Sequence, residues 1–537
     1  MRDNAIPELD TVIVGAGFSG LYMLHHARDV LGLRARVYEA GDGVGGTWYW
    51  NRYPGARCDS ESYYYSFSFS EELEQEWEWS SKYPEQPEIL RYLNHVADRF
   101  DLRRDVRLGT RVTAAVFDET TDRWEVSTEA GERVSARFLI SAVGCLSTAN
   151  VPDIPGIDSF EGDWYHTGAW PHDGVDFSGK RVGLIGTGST GIQATPVIAR
   201  EAAHLTVFQR TPNYSVPARN APLTPEVATE IKANYREIRR MARESFGGFP
   251  FVPSGRSALE ATPEERRDVY EELWEEGGFK FLYGSYYDIA LNEEANETAA
   301  EFIRSKIREI VKDPDIAEKL SPRDHPYASK RPPIDTDYFE TFNRDNVTLV
   351  DLKESPIIEI TSTGVRTSAG EHELDVIVFA TGFDAMTGSL LKIDIRGRDG
   401  RTLADAWAAG PRTYLGLQIA GFPNLFTITG PGSPSVLSNM PVSIEQHVEW
   451  IGDCIAYLRD RGLSRIEATE EAQEAWVAHV AEVASMTLFQ KANSWYLGAN
   501  IPGKTRVFMP YVGGVFPYRQ RCDAVAANGY EGFALTS

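Results

Sequence analysis

Thr11-Val12-Ile13-Val14-Gly15-Ala16-Gly17-Phe18-Ser19-Gly20 is the stretch that decides the fold. It has a counterpart in Arg181-Val182-Gly183-Leu184-Ile185-Gly186-Thr187-Gly188-Ser189-Thr190-Gly191. Each is a short apolar strand running into a GxGxxG loop that opens a helix, over Leu21 to Ala27 after the first and Ile192 to Ile198 after the second. The glycines let the chain turn sharply and approach a pyrophosphate, which then meets free N–H groups at the positive end of a helix dipole. Closing strands follow at Arg36-Val37-Tyr38 and Leu205-Thr206-Val207-Phe208. Nineteen residues past the last glycine stand Glu39 in the first unit and Arg210 in the second. Near that distance a Rossmann unit meets the adenosine ribose, where a carboxylate takes hydrogen bonds from a free 2′-OH and a guanidinium matches a 2′-phosphate. The first unit therefore reads as a site for FAD or NAD and the second as a site for NADP(H). Either loop alone also fits a bare strand-to-helix turn; two loops with matched charged ends argue for two dinucleotides.

Outward from these loops, 537 residues exceed one core, and the usual domain size gives about three or four domains. With 42% hydrophobic and 25% charged residues the chain is a folded protein, and its formal charge of −24 argues against nucleic acid or an anionic membrane as partner. Met1 to Glu8 lacks the apolar centre of a secretion signal and no apolar run reaches transmembrane length, so a cytoplasmic protein is expected. Cys58, Cys145, Cys454 and Cys522 are too dispersed for a CxxC or a zinc cluster; reduced thiols and no metal are expected.

The fold class expected is α/β, with two Rossmann-like dinucleotide-binding domains and a helical insertion. A flavin domain over 1–145 and 381–537 would enclose an NADP domain over 146–220 and 326–380, with the insertion at 221–325. Further strands read at Val112 to Phe117, Trp124 to Thr128, Phe138 to Val143, Val347 to Val350, Pro356 to Thr361 and Val376 to Ala380, the last returning the chain to the first domain. Thr262-Pro263-Glu264-Glu265 is a capping box whose helix stops at Gly277-Gly278; Ser443-Ile444-Glu445-Gln446 reads as another, opening a helix with Val448, Ile451, Ile455 and Leu458 on one face. Gly45 to Gly55, rich in glycine and aromatic rings, suits a loop packed on a flat ligand, although packing on core is the ordinary alternative.

Between the domains lies Phe160-Glu161-Gly162-Asp163-Trp164-Tyr165-His166-Thr167-Gly168-Ala169-Trp170-Pro171. It resembles the FxGxxxHTxxWP signature of type I Baeyer-Villiger monooxygenases and stands, as theirs does, just before the second GxGxxG. The similarity extends over nearly the whole chain, including Gly46 to Gly55 and Ala380-Thr381-Gly382-Phe383-Asp384, and is greatest to the phenylacetone and steroid monooxygenase branch. The resemblance implies FAD and NADPH as cofactors, and a ketone (aryl, cyclic or bulky) and O2 as substrates. The ester or lactone would form through an anionic flavin C4a-peroxide and a Criegee intermediate, with sulfoxidation as a side activity and a monomeric enzyme.

It also implies roles for particular residues. Arg331 would stabilise the anionic oxygen, which a guanidinium does without giving up its proton, and Asp59 would orient Arg331. Gly15, Gly17, Gly20, Glu39, Thr47, Trp48 and Asp59 would contact FAD. Thr187, Gly188, Ser189, Thr190, Arg210, Thr211, Lys330 and Trp495 would contact NADP(H). Leu146, Ser435, Val436, Leu437 and Met440 would line the substrate pocket. Read without the family, Lys330-Arg331 is better described as a solvated basic pair in a loop, and His166 as a hydrogen-bonding hinge residue rather than an acid or base. At Cys145 and Pro441 the chain departs from the phenylacetone pattern, and Pro441 is similar to the cyclohexanone type. The alternatives are an N-hydroxylating or sulfur-oxidising flavin monooxygenase, an NADPH oxidase or flavin reductase, and a non-catalytic dinucleotide sensor. A disulfide reductase needs a redox cysteine pair that the sequence lacks.

Overall fold

The computed structural model describes residues 6–537. Six strands come first: β1 (Glu8–Val14), β2 (Ala35–Tyr38), β3 (Val106–Arg107), β4 (Val112–Asp118), β5 (Arg123–Thr128) and β6 (Arg133–Ser141). Then follow β7 (Asp163–His166), β8 (Arg181–Ile185), β9 (His204–Gln209), β10 (Val216–Pro217), β11 (Ile334–Asp335) and β12 (Val347–Asp351). Further on are β13 (Ile357–Thr361), β14 (Gly364–Thr367), β15 (Gly370–Glu373), β16 (Val376–Phe379), β17 (Asp394–Arg396) and β18 (Leu425–Thr427).

These strands build the two Rossmann-type units of an α/β chain. One sheet runs β17-β4-β5-β6-β1-β2-β3, with β18 also on β6; the other runs β12-β9-β8-β16-β7 and is parallel throughout. A parallel strand covered on both faces reads as a continuous apolar run, and β16, Val-Ile-Val-Phe with all four residues buried, lies between β8 and β7 for that reason. In the first sheet, Thr11 to Val14 of β1 register with Ala35 to Tyr38 on one side and Phe138 to Ser141 on the other. The chain leaves the first sheet after β6 and re-enters it at β17.

Local signals hold where they are steric. The Thr262 box forms, with Thr262 Oγ1 accepting from Glu265 N and the Glu265 carboxylate from Thr262 N; its helix Pro263–Glu276 stops at Gly277, whose φ is +72°. The second box does not form. That helix runs Met440–Asp460, four residues earlier than expected, because Pro441 takes a first-turn position where no N–H is needed; Ser443, now inside, bonds Ser438 Oγ instead. Strand β6 also ends at Ser141 rather than Val143, and the two fingerprint helices run Phe18–His25 and Ser189–Glu201.

The helical stretch divides its packing. Helices Pro263–Glu276 and Glu293–Ile310 bury Tyr270, Trp274, Ile303 and Ile307 in the core under the second sheet. Helix Pro225–Glu244 instead carries Arg239 into the first unit. There Arg239 is 6% exposed and donates to Glu74 Oε1 at 2.7 Å, to the carbonyls of Tyr64, Ser66 and Phe67, and to Ser66 Oγ. A buried ion pair that loses one partner leaves an uncompensated charge, at a cost of about 3–5 kcal/mol. Arg239→Ala is therefore expected to lower the unfolding free energy by that order, read as a fall in the denaturant midpoint followed by flavin fluorescence; an unchanged midpoint would show that the clamp contributes nothing.

Candidate active site

The two fingerprint loops are built by the same collisions. A Cβ on Gly15 (φ +104°) would stand 2.5 Å from Ala142 O, and one on Gly186 (φ +116°) 2.4 Å from Ala380 O. On Gly20 it would meet Gly15 O at 1.8 Å, and on Gly191 Gly186 O at 2.1 Å. Both following helices begin at a glycine, Gly17 and Gly188, with no side-chain cap, which leaves their first N–H groups for an anion. A Cβ on Gly188 would enter open space, whereas Gly17 lies against Gly46. These cradles and open helix ends fit two dinucleotide pyrophosphates.

The charged ends differ as their residue types require. Glu39 is 5% exposed; its carboxylate accepts from Ala16 N and Gly41 N, both at 2.7 Å, so it braces the first loop from the ribose position. Burial pushes its carboxyl up, against those hydrogen bonds. Arg210 is exposed at the end of β9, and neither it nor Lys330 has an ion-pair partner among the described residues. Burial and then its cationic neighbours Arg210 and Lys353 lower the Lys330 ammonium, while Asp324, the acid beside it, is taken up by His325 (2.7 Å) and Lys353 (2.9 Å). Two neighbouring cations without a counter-ion fit a phosphate. Thr187 Oγ1 donates to Thr211 O at 2.8 Å across the loop; Ser189 and Thr190 form the first helical turn.

Thr47 and Trp48 open a short helix after Gly45 and Gly46, beside the first loop. Trp48 is buried, and its indole N–H donates to Tyr65 Oη at 3.2 Å. A few residues on, Asp59 is buried, 3.7 Å from Arg331 Nη2, an ion pair too long for a hydrogen bond. Burial pushes the Asp59 carboxyl up to about 6, with the guanidinium opposing the rise. Burial likewise opposes the Arg331 charge, but Asp59 holds that group above its ordinary value. Arg331 Nη1 donates to Val436 O at 3.4 Å, its guanidinium carbon lies 5.0 Å from the Phe279 ring centroid, and Pro332-Pro333 lead into β11, which pairs with β10. The arginine thus touches the first unit, the helical stretch and the loop before Met440.

Around it the structure gathers Leu146, Val436, Leu437, Met440 and Trp495 into one apolar cluster with Cys145, Met386, Tyr496 and Met509. Trp495 joins this cluster rather than the Arg210 end of the second unit, its ring tilted by 54° against Tyr496 at a centroid distance of 4.3 Å. Ser435 turns inward: it has no exposed surface, holds a φ of +42° and meets Cys145 Sγ at 3.0 Å. Sequence reasoning missed Tyr496, Phe279 and Gln193; none stands in a motif that signals it, and only the fold brings them to Arg331 or Asp59.

His166 lies where the two connections between the units cross. Asn150 N donates to Gly382 O at 2.9 Å and Asp384 N to Thr148 O at 2.9 Å, pairing the segments as an antiparallel bridge. His166 Nδ1 accepts from Gly168 N at 3.0 Å, and burial lowers the imidazole, keeping it neutral. All four cysteines are buried and unpaired. No helix among the described residues is long and apolar enough to cross a membrane.

A family model described as pyridine nucleotide-disulphide oxidoreductase matches residues 12–245. A Baeyer-Villiger monooxygenase of Pseudooceanicola batsensis is 49% identical over 525 residues, 97% of this chain and 95% of that protein. A phenazine N-monooxygenase of Lysobacter antibioticus is 47% identical over 539 residues, 100% of this chain and 99% of its own. Among solved structures, oxidised steroid monooxygenase bound to NADP superposes with a TM-score of 0.94 at 57% identity, covering 98% of this chain and 99% of that one. OTEMO in complex with FAD and NADP superposes with a TM-score of 0.96 at 45% identity, covering 99% and 100%. By this identity over its whole length, the chain belongs to the Baeyer-Villiger monooxygenases, FAD-dependent oxidoreductases that use NADPH and O2.

Proposed function

We propose that this enzyme converts aryl, cyclic or bulky ketones to esters or lactones, with Arg331 and Asp59 as the groups that make the oxygen transfer nucleophilic. The observation that carries this reading is the Asp59–Arg331 pair facing one apolar cluster. Bound FAD, once reduced by NADPH, supplies the electrons that activate O2 for attack on a carbonyl. The glycine loop at Gly15, Gly17 and Gly20, with Glu39, Thr47 and Trp48, would hold FAD. Gly188, the turn at Thr187, Ser189 and Thr190, and Thr211, Arg210 and Lys330 would hold NADPH. Trp495 would close over the nicotinamide side.

Arg331 serves this chemistry because its charge is permanent: it stabilises negative oxygen on attack and keeps it unprotonated. Asp59 holds the guanidinium by charge, and Val436 O fixes one of its N–H groups in place. Leu146, Val436, Leu437 and Met440 exclude water around the ketone, which strengthens the guanidinium's field. A protonated oxygen would favour transfer to sulfur, so sulfoxidation is the side activity that grows when Arg331 is lost. A second reading, oxygen transfer to a ring nitrogen, draws on the similarity to phenazine N-monooxygenase.

Purified enzyme with NADPH, O2 and a panel of ketones, sulfides and aromatic N-heterocycles separates these readings by product mass and structure; N-oxides without esters would favour the second. Arg331→Ala is expected to cut ester formation by roughly 10²–10³ while anaerobic flavin reduction by NADPH persists, and unchanged ester yield would remove Arg331 from the mechanism. Because burial raises the Asp59 carboxyl to about 6, it is ionised only above that pH. Ester formation should therefore fall as pH drops through about 6, and Asp59→Asn should abolish that limb along with most of the rate. Arg210→Ala is expected to raise KM for NADPH roughly ten- to a hundredfold and leave KM for NADH nearly unchanged; equal effects on both would place the 2′-phosphate elsewhere.

A further inference from the structure

Gln193 stands where the two nucleotide-binding units meet. It belongs to the helix Ser189–Glu201, one turn beyond Ser189 and Thr190 of the second fingerprint. Its side chain, however, is spent on the first unit. Gln193 Oε1 accepts from Tyr53 Oη at 2.7 Å, and Gln193 Nε2 donates to Asp59 Oδ1 and to Arg57 O, each at 3.1 Å. Its main-chain carbonyl lies against Gly55, where a Cβ would approach to 2.4 Å. The orientation of the amide is determined by its partners: turned over, its oxygen would face a carboxylate and a carbonyl, with no donor between them.

We propose that Gln193 is a positioning residue for the Asp59–Arg331 pair, and that the chain Tyr53–Gln193–Asp59–Arg331 ties the geometry of the arginine to the helix that seats NADP. The proposal rests on the reading of Asp59 and Arg331 given above. Asp59 lies 3.7 Å from Arg331, so the ion pair alone does not orient it; the Gln193 N–H is the directional bond on its other oxygen. A hydrogen bond to the charged form of a carboxyl favours that form, so the amide also keeps Asp59 ionised in a site that desolvates it. A shift of the second unit moves Gln193 and, through it, the acid that holds Arg331. The pair is therefore aligned only while the NADP helix is docked against Tyr53–Asp59.

The other groups facing Asp59 are Arg331, Arg57, Cys58, Tyr53, Tyr65 and Tyr83. Burial pushes Cys58 up to about 12 and the three phenols above their ordinary range, so none of them changes charge between pH 5 and 9. Among Asp59, this thiol and these phenols, Asp59 is the group that titrates in that window; Asp335, pushed up to about 7 by burial, bonds Ser215 rather than Asp59.

Gln193→Ala is expected to move the acid limb of ester formation upward by about one pH unit. At pH 7 a larger share of NADPH oxidation should then end in peroxide. An infrared titration of the protonated Asp59 carboxyl, assigned with Asp59→Asn, should move the same way without turnover. Tyr53→Phe keeps the ring, should shift both readings less, and should add nothing on the Gln193→Ala background, since it acts through the same amide. Should Gln193→Ala fail to fold, Tyr53→Phe decides alone. An unmoved limb and an unmoved infrared band, in enzyme whose ester formation Arg331→Ala still cuts by the expected factor, would overturn the role of Gln193 and leave the reading of Arg331 standing. Ester formation unchanged by Arg331→Ala would overturn that reading itself.

Discussion

Everything at the site depends on how closely two backbones approach, the Gly55 turn of the first unit and the Gln193 carbonyl of the second. The 2.4 Å that a Cβ would leave there is shorter than any side chain tolerates, so only glycine lets the units dock at this depth. Docking places Tyr53 and Asp59 on Gln193 and brings Asp59 within reach of Arg331, which enters from a loop more than two hundred residues further on. The arginine is then held by groups from separate parts of the chain: a carboxylate, a carbonyl and an aromatic face.

The parts of this arrangement that were legible in the sequence are those whose cause is local. Gly15, Gly20, Gly186 and Gly191 answer to collisions within a few residues or with the neighbouring strand, and Glu39 and Arg210 follow from the length of one strand-helix-strand unit. The helix at Pro263–Glu276 carried its start and stop in its own residues. Elsewhere a local pattern misled: Ser443 to Gln446 matches a capping box, yet Pro441 starts the helix earlier. Arg331 was legible only through the family, because a basic pair in a loop looks the same whether solvated or catalytic. Gln193 was not legible at all, since a glutamine on a helix acquires its meaning from what the fold places opposite.

The protein carries a formal net charge of −24, and most of its Lys and Arg residues are in ion pairs. Against that background Arg210 and Lys330 are conspicuous for having no acid of their own. Asp324, the carboxylate beside them, is turned toward His325 and Lys353. If the proposed 2′-phosphate site is there, occupying that acid would serve selection as much as supplying the two cations, because a free carboxylate would repel the phosphate.

The divided helical stretch has a mechanical meaning. Helix Pro225–Glu244 is riveted to the first unit through Arg239, whereas the helices from Pro263 onward belong to the core of the second. The chain between them includes the exposed Phe246 and Val252, and Phe246 O and Gly247 O accept from Val515 N and Asn439 N. These connections add to the Tyr53–Gln193, Gln193–Asp59 and Asp59–Arg331 contacts that already hold the two units together. A stretch shared out in this way is no independent domain: it has no core of its own, and each part stands only while the unit it packs on is folded.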